Sequence, residues 1–232
     1  EEAIAISFNK FDPTAAGFIL SKQPSPDGSG NTFPINQAKG LEGINSAWPE
    51  KTPVGMRAIA SFPATAIETK PVFFPVLKAK LTAVPLWQGE SASSNAKNPT
   101  PDTWTHCVLV DASDTSDPST QLKTPTAVQI AEAEIPGNFN CDRALLKVAP
   151  IGMFYAVTLN KEGAATFSSL QGTTKDKGLM LKAGDFAVLT AMHVNTKELD
   201  RWTWQTFYWQ GQSGMDVAWP GTLGDVSPNV PG

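Results

Sequence analysis

Histidine is nearly absent from this sequence, with two in 232 residues, and cysteine is as scarce. Two imidazoles are too few for a closed tetrahedral zinc site unless carboxylates complete it. Charged residues make up only 17% of the chain, against roughly 25% in an average globular domain. The net charge is -4, so no basic stripe can neutralise phosphates, and nucleic acid is excluded as an expected partner. No apolar run approaches the roughly 20 residues that cross a bilayer as a helix, so any membrane association is expected to be peripheral. No G-x-S-x-G nucleophile elbow occurs, which removes the usual serine hydrolase arrangement.

Proline, glycine and tryptophan are plentiful instead: 19, 18 and seven residues. Closely spaced prolines argue against long helices and for many irregular connections. The chain begins Glu1-Glu2 without an initiator methionine and reads as a processed form. Low charge, an even cysteine count and this composition lean towards an extracytoplasmic protein, secreted or at the cell surface. Cys107 and Cys141 can form a single disulfide, whose loop closure contributes on the order of 3–4 kcal/mol.

Residues 21–55 read as loop, with turn chemistry throughout "SKQPSPDGSGNTFPINQ". Short, proline-interrupted strands are expected from Pro53 to Trp87, and a second loop over Glu90–Pro101. "TWTHCVLVDA" reads as a strand ended by the Asx-rich turn "DASDTSDPS". "ALLKVAPIGMFYAVTLN" gives one or two further strands, broken near Pro150-Ile151-Gly152. A turn at Ala183-Gly184-Asp185 precedes a strand carrying His193. "RWTWQTFYWQ" alternates as a strand and pairs with the His193 strand as a hairpin. The expected fold is mainly β with extensive coil, a single β-sandwich-like domain over residues 1–232, with about 221–232 a surface tail.

Both scarce residue types converge on "PDTWTHCVLVDASD". In a strand, side chains two apart share a face. Trp104, His106 and Val108 therefore lie on one side, and Thr105, Cys107 and Leu109 on the other. The cysteine points away from the histidine, which favours a structural disulfide over a shared Cys–His metal site. The same alternation puts His193 beside Ala187, Leu189 and Ala191, with Met192 opposite. A lone histidine next to a tryptophan is more often packed or hydrogen-bonded than a ligand. Where it is a ligand, neutral imidazole in a low-coordinate setting suits copper better than zinc. A blue-copper centre needs a histidine shortly after its cysteine, and none follows Cys107 until His193. An oxygenase centre built on an N-terminal histidine amine is excluded by Glu1.

The triplet Trp104-Thr105-His106, the single remote His193, the acidic Pro/Gly-rich character and the size resemble the MopE/CorA family, copper-binding proteins on the surface of methane-oxidising bacteria. CorA is the closer comparison. The resemblance implies a mononuclear Cu(I) site made by Trp104, oxidised to kynurenine, with His106 and His193. It further implies a role in copper acquisition without turnover, an outer-membrane-associated or secreted location, and a di-haem, peroxidase-like cytochrome as the partner that makes kynurenine. The chemistry agrees with the modification. An indole N–H is a donor only, whereas kynurenine exposes an aromatic amine whose lone pair can reach a metal.

Other readings stay open at this point. Asp111, Asp114 and Asp117 could hold calcium, although the EF-hand glycine and terminal glutamate are missing; a solvated turn is the simpler reading. A copper-dependent oxidoreductase would use an open coordination position with Asp102 or Asp111 nearby. A carbohydrate-binding module would use the Trp-rich strand as a stacking platform. Met153, Met180, Met192 and Met215 could offer thioethers but read as core filler.

Overall fold

The computed structural model describes residues 5–86, 105–116, 122–136, 139–170, 179–199 and 201–209. Trp104, Asp102, Asp117 and Met215 lie outside them, as do the expected loop Glu90–Pro101 and the expected tail. The fold is mainly β, with 32% strand against 23% helix, as the sequence reading expects. The described residues fall into two compact units: 5–8, 71–192 and 207–209 in one, 9–70 and 193–206 in the other.

The first unit is organised around a three-stranded sheet of β6 (Thr82–Pro85), β7 (Cys107–Asp111) and β8 (Lys147–Pro150). β6 pairs antiparallel with β7, Val84 opposite Val108, while β8 pairs parallel, Val148 opposite Leu109. β7 is therefore hydrogen-bonded on both sides, and its apolar run CVLV is buried on both faces. Such a run cannot alternate polar with apolar, because neither face meets water. Val108 and Val110 join a core with Phe74, Val76, Val84, Phe154 and Val188. Cys107 and Leu109 turn into a second cluster with Ala83, Leu146 and Val148. This is the alternation expected for "THCVLV". Cys107 and Cys141 form a disulfide across a separation of 34 residues, stapling the start of β7 to the segment before β8.

The break expected near Pro150-Ile151-Gly152 is a 3-10 turn at Ile151–Met153, followed by β9 (Ala156–Thr158). β9 pairs antiparallel with the start of β10 (Phe186–Thr196). Between them runs α4 (Lys161–Leu170), a helix the sequence reading did not expect. Asn160 starts it by accepting the Gly163 N–H on its side chain, the usual way a helix start is satisfied. The turn before β10 is as expected, with Gly184 at φ 95°, a conformation that costs glycine little. Asp185 is buried there, its carboxylate accepting the N–H groups of Lys78 and Lys182.

The second unit corrects the reading of 21–55 as loop. β3 (Lys22–Pro24) and β4 (Thr32–Pro34) pair antiparallel around the glycine-rich turn, and α2 (Ala38–Ser46) follows. α2 forms because its glycines permit close packing. A Cβ on Gly40 would run into the Pro34 carbonyl, and one on Gly43 into the Phe33 ring. The unit also holds α1 (Pro13–Leu20), whose N-cap Asp12 accepts from Thr14 and Ala15 and, at long range, from the Ile67 N–H. β5 (Ile67–Val76) is longer than expected and contains Pro71 and Pro75. It pairs through Glu68 and Thr69 with β2 (Lys10–Phe11) and through Val72 and Phe73 with β1 (Ile6–Ser7). Pro71 falls between the residues paired with β1 and those paired with β2.

Unlinking Cys107 from Cys141 by serine substitution is expected to lower unfolding free energy by about 3–4 kcal/mol. Urea denaturation of the double variant Cys107→Ser/Cys141→Ser against the oxidised parent measures it.

Candidate metal centre

His106 sits one residue before β7 and continues its ladder: its carbonyl accepts from the Leu86 N–H at 2.9 Å. The neighbouring Thr105 carbonyl accepts from the Asp142 N–H at 2.7 Å. Asp142 directly follows the disulfide-bonded Cys141. The disulfide, the ladder and this loop contact together fix the backbone on which His106 is mounted. The imidazole is half-buried. Burial pushes its pKa below the ordinary histidine value, and the negative charge of Asp142 acts in the opposite direction with the smaller effect. Desolvation penalises imidazolium, so this ring is held towards its neutral form.

His193 belongs to the second unit, on β10. Its Nδ1 is 2.9 Å from the Thr206 hydroxyl on β11 (Thr203–Tyr208). The hairpin expected for these strands is present. Thr196 and Thr203 meet at 2.7 Å between hydroxyl oxygens, and the Trp209 N–H donates to the Thr190 carbonyl. The same register sets His193 opposite Thr206. Trp204, two residues before Thr206 and on its face, lies diagonally from His193, with ring centroids 5.3 Å apart and planes at 52°. A tryptophan does therefore accompany this histidine too. The sequence reading missed it because the contact crosses strands and depends on hairpin register.

The two histidines thus lie in separate units, each in its own surroundings, and Trp104 falls outside the described residues. Among those residues no group of three or more His, Cys, Asp or Glu side chains is placed to hold a metal ion. No described helix is long and apolar enough to cross a membrane.

The remaining candidates are placed as follows. Asp111 accepts from the backbone and hydroxyl of Ser113, and Asp114 from the Ser116 N–H and the Lys123 ammonium. Both carboxylates are engaged in turns, and Asp114 also pairs with Lys123. Of the tryptophans in "RWTWQTFYW", Trp209 stacks on Phe154 and donates to the Met153 carbonyl, and Trp202 packs edge-on against Phe62. Trp204 is 66% exposed. Met153 packs against the core, but Met180 is 83% exposed, which corrects its reading as core filler. No protein-family model, curated protein or solved structure matches the chain.

With two histidines in the chain, each ring can be followed separately by nuclear magnetic resonance. His106 is expected to titrate below about 6.5, the ordinary value, and Asp142→Asn to lower it further by removing the charge that supports imidazolium. Because the folded value lies below the unfolded one, this residue's contribution to stability is fully present above about 6.5 and is lost as pH falls through the folded value. A His106 that titrates above the ordinary value would contradict this.

Proposed function

We propose that this protein binds one Cu(I) ion through His106, His193 and the aromatic amine of Trp104, oxidised to kynurenine. We further propose that it does so without turnover, in copper acquisition at the cell surface. The observation that carries the reading is the surroundings of the two imidazoles. Burial favours neutral His106, and Thr206 holds Nδ1 of His193. Neutral nitrogen donors match a soft, low-coordinate monovalent ion. At His193 the ligating nitrogen is Nε2, which requires that Nδ1 carry the proton and donate it to the Thr206 oxygen. A ligating histidine is commonly oriented through such an outer hydrogen bond.

The disulfide supports an oxidising compartment, and with it the proposed location in contact with the outer membrane. A di-haem, peroxidase-like cytochrome is the proposed source of the oxidising equivalents that convert Trp104. The exposed Trp204 favours one further reading, stacking on a sugar ring. Titration with oligosaccharides in the presence of a copper chelator separates the two, because sugar binding would persist without metal.

The test is a Cu(I) competition titration against a colorimetric chelator, in the absence of oxygen. His106→Ala and His193→Ala are each expected to abolish stable one-to-one binding, and Met192→Leu to leave it unchanged. Binding that survives both histidine changes would overturn the assignment. Thr206→Val, which removes only the group orienting His193, is expected to weaken Cu(I) affinity about 10–100-fold with the fold intact by circular dichroism.

A further inference from the structure

Far in sequence from the W-x-H triplet, the first unit contains an open hollow of about 500 Å³ between α4 and the sheet. Pockets of roughly 300–1,000 Å³ are the size that takes a small organic molecule. Its walls are almost wholly apolar: Ile6, Phe8, Phe73, Val157, Phe167 and Ala187 all face it. The Phe8 and Phe73 rings stack in parallel, with centroids 6.0 Å apart. Two small residues, Gly163 on α4 and Ala187 on β10, are part of its lining.

Polar groups lie only on the α4 side, and one ionisable residue, Glu162, lines the hollow. Asn160 already occupies the Gly163 N–H at the helix start, and Glu162 places a carboxylate in the first turn. The positive end of the helix dipole is thereby answered from within the chain, and no described lysine, arginine or histidine lines the cavity to meet an acidic head group.

We propose that this hollow binds one uncharged, ring-containing hydrophobic molecule and discriminates against anionic amphiphiles of the same body. Rings meet the phenylalanine walls in stacked or edge-on contact, while Glu162 repels a sulfonate or carboxylate at the mouth.

A matched pair of fluorescent probes tests this: neutral N-phenyl-1-naphthylamine and its sulfonate, 1-anilinonaphthalene-8-sulfonate. The neutral probe is expected to saturate one site per chain. The sulfonate is expected to bind more weakly, with a single exposed charge accounting for roughly two- to fivefold of the difference. Glu162→Gln should remove that part and leave the neutral probe unchanged. Val157→Trp, which fills the hollow from an exposed strand, should weaken the neutral probe at least tenfold. Leu170→Trp, from the exposed end of α4, makes the same test if the first variant melts early. Non-saturating binding, tighter binding of the sulfonate, or full affinity in a folded filled variant would each overturn the proposal.

Discussion

The three-stranded sheet of the first unit, and the backbone that carries His106, depend on β7 being buried on both faces. Val108, Leu109 and Val110 are essentially inaccessible to solvent, and each contributes on the order of 1.5–3 kcal/mol by leaving water. A strand so placed must find hydrogen-bond partners on both edges, because an unpaired buried N–H or carbonyl costs about as much as one such side chain gains. β6 and β8 supply those partners. The disulfide at Cys107 then fixes the strand's first residue, so the residue before it has little freedom. His106 inherits its position from this arrangement. Its half-buried imidazole follows from where the strand is anchored and needs no dedicated pocket.

His193 is positioned by a different route. It is carried by a hairpin, and a threonine hydroxyl opposite it controls one ring nitrogen. Orientation here comes from side-chain hydrogen bonding, whereas at His106 it comes from backbone anchoring and desolvation. At His106 burial favours the neutral ring, and neutral imidazole is the protonation state a copper ligand requires. The acidic residues near His106 do not form a competing hard-ion site among the described residues. Asp111 and Asp114 are occupied in turns and Asp142 lies beside the disulfide.

The parts of the fold that were legible in the sequence are those governed by local periodicity. The alternation in "THCVLV" assigned Val108 and Leu109 to opposite faces, and the cysteine facing away from the histidine is the one that is disulfide-bonded. The turn at Ala183-Gly184-Asp185 and the hairpin of β10 and β11 rest on equally local signals. What could not be read is held by tertiary contacts. α2 contains two glycines that count against a helix by propensity, yet those glycines admit Pro34 and Phe33. β5 runs through Pro71, and two separate short strands pair before and after that residue. α1 did carry a legible signal, Asp12-Pro13 at its start, which is a recognised cap followed by proline at the first helical position. The contact of His193 with Trp204 needed the register of the hairpin, which composition does not supply.

The proposed copper site requires that both imidazoles of the chain bind the same equivalent of copper. Two histidines give four ring nitrogens, so a long-range proton–nitrogen correlation spectrum resolves each one without ambiguity. On addition of one equivalent of Cu(I) without oxygen, one nitrogen of His106 and Nε2 of His193 should shift together and reach completion at the same stoichiometry. Nδ1 of His193 should then show the signature of a protonated nitrogen bonded to Thr206. Ring nitrogens that stay unshifted at one equivalent, or that respond at different stoichiometries, would contradict the account.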